Sequence, residues 1–299
     1  MQDNRLSLMK EVSNMGLEEM KKSRTVSAVK KILAEIKTET SVPMYRFVLS
    51  DEKVGLFDSK VGGLGYVPRD GDIPCNSKGE QLRLLAQINC AEVDLPEYPE
   101  KGLLQFWIAD NDLCGMNFDD NTEQDGFRVI YYADVDKTVT ADEVAEKTKP
   151  SGEEDFFPVN GEFKIELEKS TDDMPYGICG DFYPFNDIFC AKYNKAFLKE
   201  PIENMDNDLP IDMYELDETD EYYENTMGHK IGGYAGFTQW DPRDQGDSHD
   251  FLLFQLDSDY NDGKDMVMWG DSGICGFFIN SEKLKKLDFS DIIYNWDCC

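Results

Sequence analysis

An α+β fold, with mainly antiparallel sheets in two pseudo-repeated halves and N-terminal amphipathic helices packed on the body, is what this sequence predicts. Three observations predict it. In MKKSRTVSAVKKILAEIK, residues 20–37, Val26, Val29, Leu33 and Ile36 recur at helical spacing, with the lysines mostly opposite them. After Pro43 the texture changes to short apolar runs separated by Gly, Pro, Asn and Asp, as strands joined by turns require. One phrase also occurs twice: KVGGLGYVP starts at residue 60 and KIGGYAGFTQW at residue 230.

Taken in chain order, a short helix is expected from about Asn4 to Val12. Ser13 or Asn14 would cap the longer helix that follows, and Thr40-Ser41-Val42-Pro43 would end the pair. The strand candidates are YRFVLS, LRLLAQIN, LLQFWIA, FRVIYYA, FKIELE, FLLFQLD, MVMW and CGFFI. Between them lie weaker helical patterns, TADEVAEKT from Thr140 and NKAFLKEPI from Asn194. Toward the C-terminus SEKLKKL, from Ser281, has a Ser cap and lysines near its end, which suit the helix dipole.

The repeated phrase extends into a register. From Lys60, 27 residues lead to Gln87 in LLAQIN; from Lys230, 25 residues lead to Gln255 in LLFQLD. GLLQFWI then starts at Gly102 and GICGFFI at Gly273. Three landmarks in one order, each displaced by about 170 residues, indicate an internal duplication. The expected organisation is a helical segment over 1–43 and a single domain over 44–299. That domain would hold two strand-rich halves, about 44–140 and 200–299, joined by a connecting region at 141–199.

Composition bounds the function classes. A chain of 299 residues with 40% hydrophobic and 12% aromatic content can bury a substantial core. The N-terminus lacks a signal pattern and no long apolar run occurs, which predicts a cytosolic, reducing compartment. There the eight Cys read as small buried hydrophobes, without any C-x-x-C. The formal net charge is −31, yet residues 1–60 carry a balance of +2, so the body carries −33. Such a field repels nucleic acid and anionic membranes and favours a basic protein partner.

KVGGLGYVPRDGDIP, LLAQINCAEVDLPEYPEKGLLQFWI, GGYAGFTQWDPR, LLFQLDSD and MWGDSGICGFFI together resemble the YwqG-like family of bacterial proteins. The resemblance runs from about residue 44 onward and rests on five ordered motifs. It implies a soluble, duplicated, mainly antiparallel α+β fold and lends no activity. Where that family tends to place a Pro after the Gly pair, this chain has Leu64-Gly65 and Tyr234-Ala235, which implies a looser turn.

Several constellations invite chemistry. Gly270-Asp271-Ser272-Gly273 matches the surroundings of a protease nucleophile, but the chain has only two His, 229 and 249, both in loop contexts, so a turn into GICGFFI is expected instead. DSDYNDGKD, from Asp257, has acids at alternating positions but lacks the Gly and Glu of an EF-hand. Its Asp257, Asp259, Asp262 and Asp265, with Asp271, are candidate ligands for a divalent cation. The Lys-Gly-Gly phrases could cradle an anion, or could simply be tight turns. The spacing of the two His with Cys190 or Cys275 fits no zinc pattern. Residues 203–224 hold 10 acids and no base among Met, Leu and Tyr, an acidic docking surface or a solvated loop.

The reading is a non-enzymatic, acidic, cytosolic binding protein that docks a basic partner and needs no cofactor. The alternative is a metal-dependent enzyme or cation-binding protein using Asp257, Asp259 and Asp271. Binding residues are sought where the second copy departs from the first and at its turn: Lys230, Gly232, Gly233, Gln239, Arg243, Gln255 and Trp269.

Overall fold

The computed structural model describes residues 2–149, 156–176, 182–211, 226–261 and 263–298, with residues 2–18 described by their backbone alone. The chain divides into two compact units. One comprises Met1–Ser41, Asp173–Gly177 and Tyr183–Asn225, and the other Val42–Asp172, Ile178–Phe182 and Thr226–Cys299.

The first unit is helical. Helix α1, Gln2–Glu39, runs without the break expected at Ser13–Asn14. A polar residue in a helix interior costs only a few tenths of a kcal/mol, too little to force a cap there. Val29, Leu33 and Ile36 are buried as the spacing requires, and Ile32 joins them. Thr38 and Thr40 close the helix by donating their hydroxyls to Ala34 O and Ile36 O. Helix α3, Phe185–Ala196, packs on α1, and Lys192 bridges to Glu35 and Glu39 at 3.4 and 2.8 Å. The pattern read from Asn194 thus marks the end of a helix rather than its start. A short helix α4, Met205–Asp208, is capped by Asn204.

The second unit is built on a ten-stranded antiparallel sheet. In chain order its strands are β1 Val42–Ser50, β2 Lys60–Gly62, β3 Arg83–Asn89, β4 Leu103–Ile108, β5 Phe127–Tyr132, β6 Glu162–Asp172, β7 Lys230–Gly232, β8 Phe251–Asp257, β11 Ile274–Ile279 and β12 Ile292–Asp297. A separate hairpin joins β9, Asp259–Asn261, to β10, Lys264–Val267. Among the described residues two short α-helices belong to this unit: α2, Ala141–Ala145, with a capping box between Thr140 and Glu143, and α5, Ser281–Leu284. The cap of α5 is Asn280, whose side chain accepts from Glu282 N and Lys283 N, and not Ser281.

Across the sheet the order is β12-β11-β8-β7-β1-β6-β2-β3-β4-β5. At its centre β1 lies antiparallel to β6, from Val42 opposite Asp172 to Ser50 opposite Lys164. The segment 141–199, expected to be a connection, therefore supplies a central strand. Outward from this pair, either direction meets a three-residue Lys-x-Gly strand, a Gln-bearing strand, an aromatic strand and an edge strand. β1 pairs with β7, and β6 with β2. Both Gln-bearing strands also carry an irregularity at the same place, opposite Phe106-Trp107 and Phe277-Phe278.

The sheet curls until its ends face each other. Phe47, Phe106, Phe127, Phe254, Phe277 and Tyr294 stack in its interior with ring centroids 4.6–6.5 Å apart. Tyr294 N–H on β12 donates to Asn121 O in the loop after β4, and its hydroxyl donates to Cys114 O. The outer face of β3 and β4 has its own cluster, with Tyr66, Ile73, Leu84 and Trp107. Every residue of β4 and β11 is consequently buried, which explains why LLQFWI and ICGFFI read as continuous apolar runs instead of alternating ones.

Candidate functional site

The two Lys-Gly-Gly turns follow one plan. Gly62 and Gly63 have φ of 72° and 70°, and Gly232 and Gly233 have 73° and 75°. An L side chain would pay about 1–2 kcal/mol in this left-handed region. It would also collide: a Cβ on Gly63 would strike the Glu162 carboxylate, and one on Gly233 the Asp172 carboxylate. The lysine opening each turn takes that acid, Lys60 Nζ to Glu162 Oε1 at 2.9 Å and Lys230 Nζ to Asp172 Oδ2 at 2.8 Å. These acids are the first and last residues of β6. The second pair is sealed, with side chains 0% and 1% exposed, and Tyr234 N–H donates to the same Asp172 oxygen. The anion held by Lys230 and Tyr234 N–H, against Gly233, is the chain's own carboxylate, and Gly232 packs instead toward Leu95 and Pro43 O.

The buried glutamines lock these turns. Gln87 Nε2 donates to Leu56 O and Asp58 O, and its Oε1 accepts from Tyr66 N. Gln255 Nε2 donates to Thr226 O and Gly228 O, and its Oε1 accepts from Gly236 N. Counted from the lysine of each turn, the partners are the same: four and two residues before it, and six after.

One position before each lysine, the correspondence continues with different chemistry. Ser59 Oγ accepts from Asn89 N and donates to Glu92 Oε2. His229 Nδ1 accepts from Asp257 N at 3.0 Å, so Nε2 carries the proton and faces Asp259 Oδ2 at 3.1 Å. That hydrogen bond holds the Asp259 carboxyl below its ordinary value. Burial pushes Asp257 the other way, against the pull of Gly228 N–H on its Oδ2.

These commitments bear on the cation candidates. Asp257 accepts Gly228 N–H at 2.7 Å and Ser258 N–H at 2.8 Å, Asp259 faces His229, and Asp271 is exposed beyond Trp269. Among the described residues no three His, Cys, Asp or Glu side chains are grouped to hold a metal ion. Asp262 lies outside the described residues, as do residues 212–225 of the acidic stretch. Gly270–Gly273 is a turn into β11, closed by Gly273 N–H to Trp269 O, with Ser272 exposed at φ 62°. The ring nitrogens of both histidines are engaged elsewhere.

Arg243 is buried in the second half. Its Nε and Nη2 fork onto Asp241 at 2.8 and 2.6 Å, Nη1 donates to His249 O, and its guanidinium lies 3.8 Å from the Phe182 ring centroid and 4.1 Å from that of Phe278. Burial pushes the Asp241 carboxyl up while the Arg243 hydrogen bonds pull it down. The His249 ring sits between Asp247 at 2.6 Å and Asp291 at 3.1 Å, and Lys283 donates to the other Asp291 oxygen, holding that carboxyl low. Trp269 is fully buried against Trp296, with no hydrogen-bond partner for its indole N–H among the described residues. Lys230, Arg243, Gln255 and Trp269 are therefore placed inside the unit. Gln239 is exposed and donates to Cys298 O.

Concavities open to a ligand include two in the sheet-built unit. A cleft of about 990 Å³ in the first half is lined by Gly63–Gly65, Arg83, Trp107, Asp110, Lys149 and Phe157 among others. Arg83 there is held by Asp110 at 2.9 Å and lies 4.0 Å from the centroid of the Phe157 ring. A groove of about 440 Å³ forms where the loop at 116–121 meets the loop at 239–242 and the end of β12. Phe118 and Trp240 line it while remaining 73% and 67% exposed. Asp119, Asp120 and Asp297 line it as well, and no basic residue does among the described residues.

Reading the sequence for catalytic motifs misses Phe118 and Trp240. Their signal is an aromatic outside any apolar run, in MNFDDN and TQWDPR, where no strand or helix pattern calls for one.

A family model described as a domain of unknown function, DUF1963, matches residues 59–298. No curated protein matches the chain.

Proposed function

The chain belongs to the DUF1963 family of domains of unknown function, and on that premise we propose that it is a non-enzymatic, acidic, cytosolic interaction protein that docks a basic protein partner. The observation that carries this reading is the groove at Phe118 and Trp240. Large aromatics left in water are favoured anchors of protein interfaces, and here they lie among carboxylates. The net charge of −31 supports it by steering cationic surfaces toward the molecule. The commitment of both histidines and of Arg243 to internal partners is in keeping with a scaffold and not with an acid–base site.

The scaffold itself we read as an internal duplication, β1–β5 and β6–β12, in which each copy contributes its first strand to the other. The shared partners of Gln87 and Gln255, the four matched glycine φ angles and the matched strand irregularities support this. The kinship is finer than the family name, and the motifs that resemble YwqG-like proteins are the same turn and strand landmarks.

The test compares the wild-type protein with the Trp240→Ala, Phe118→Ala double variant as baits, with native mass measurement of what is retained. A stoichiometric basic protein held at low salt, released at high salt and lost with the double variant is expected. Retention unchanged by the variant would move the docking surface elsewhere; absence of any salt-sensitive partner would end the reading.

A further inference from the structure

We propose that the groove at Phe118 and Trp240 is a guanidinium site, which takes an arginine side chain presented by the partner. This deepens the docking reading and rests on it. The reasoning starts from how the chain treats its own arginines. Arg243 lies 3.8 and 4.1 Å from two aromatic ring centroids, those of Phe182 and Phe278, and forks onto Asp241. Arg83 lies 4.0 Å from the ring centroid of Phe157 and is held by Asp110 at 2.9 Å. In both places a planar cation is recognised by an aromatic face and an aspartate. The face attracts it through the ring quadrupole, and the carboxylate accepts its in-plane N–H groups.

The groove displays the same two components outward and lacks the cation. Phe118 and Trp240 are 73% and 67% exposed, and among the described residues neither ring stacks on another aromatic. The Asp119 carboxylate, beside Phe118, carries no hydrogen bond or ion pair among the described residues. By contrast Asp297 is already occupied by Thr238 and by Gln239 N–H, and Asp120 by Thr122. This leaves Asp119 as the acceptor on offer. An arginine satisfies the arrangement better than a lysine. Its guanidinium is flat, weakly hydrated and able to lie on a ring while donating at its edge, whereas an ammonium is a compact, strongly hydrated point charge. The rim supplies charge complementarity, since the acids lining the groove have no basic residue among them.

The experiment titrates the full chain with three blocked peptides of alternating glycine and arginine, glycine and lysine, or glycine and citrulline, read by calorimetry and tryptophan fluorescence at low and moderate salt. The expected result is that the arginine peptide binds about tenfold more tightly than the lysine peptide. The citrulline peptide, planar but uncharged, should not bind measurably. Trp240→Ala, Phe118→Ala and Asp119→Asn should each reduce the arginine preference severalfold, with thermal unfolding unchanged because all three side chains are exposed. Trp240→Phe, which keeps an aromatic face, should retain most of it. Equal, salt-sensitive affinity for the arginine and lysine peptides, indifferent to Trp240, would overturn the guanidinium site and leave acidic docking standing. Failure of both cationic peptides to bind at low salt would overturn the two together.

Discussion

Single residues separate the two turns energetically although their geometry is shared. Lys230 and Asp172 are both withdrawn from water, while Glu162, the partner of Lys60, is 40% exposed. Lys230→Met keeps the packed stem and leaves a buried carboxylate without its ammonium, so a loss of about 3–5 kcal/mol is expected. Lys60→Met lets Glu162 turn to solvent, and the expected loss is about 1 kcal/mol or less. Urea unfolding of the two variants checks the contrast; equal losses would mean that burial does not set the value of these pairs. The sequence shows both lysines beside their glycines but cannot show which acid each one meets. Glu162 and Asp172 lie about a hundred and about sixty residues from their lysines, at opposite ends of a strand whose pairing is decided by the whole sheet. Arg243 illustrates the same blindness. As part of WDPRDQGD it reads as a candidate binding residue, and only the fold encloses it between two rings.

At the level of strands and turns, the glutamine is the fastener that ties each Lys-Gly-Gly turn to the strand beside it. Gln255→Leu would strand two carbonyls and one N–H, at about 1–3 kcal/mol for each buried group left unpaired. Gln87→Leu should cost at least as much, since Gln105 also donates to the Gln87 carbonyl. Chemical denaturation of both variants measures this, and a neutral result for either would show that the turns hold without their fastener. Long or doubly buried elements were legible in advance: β3, β4, β8 and β11 declare themselves as apolar runs with a shared order of landmarks. The three-residue β2 and β7 did not, because their extended form is imposed by the glycine turn and by a central strand, not by local propensity. β12 is not marked in the sequence because IIYNWD mixes apolar and polar residues and begins directly after a turn. The break expected within α1 failed for the opposite reason, local capping preference being weaker than helix continuity.

For the whole molecule the net charge of −31 dominates solution behaviour. Internal repulsion of this size destabilises a compact state, and the screening length falls to about 10 Å at 0.1 M salt. The melting temperature should therefore rise as sodium chloride is added and then level off. A steady fall would mean that the ion pairs on the surface outweigh the repulsion. The arrangement of the central strands has a further consequence, in the timing of synthesis. β1 is complete by Ser50, yet Phe47 N–H bonds to His229 O and β7 begins only at Lys230. At ribosomal rates that interval lasts roughly 10–40 s, during which β1 has both edges unpaired until β6 is complete at Asp172 and one edge unpaired thereafter. Until His229 emerges, that edge is a point of vulnerability to chaperone capture or mispairing, and the last quarter of the chain is what closes it.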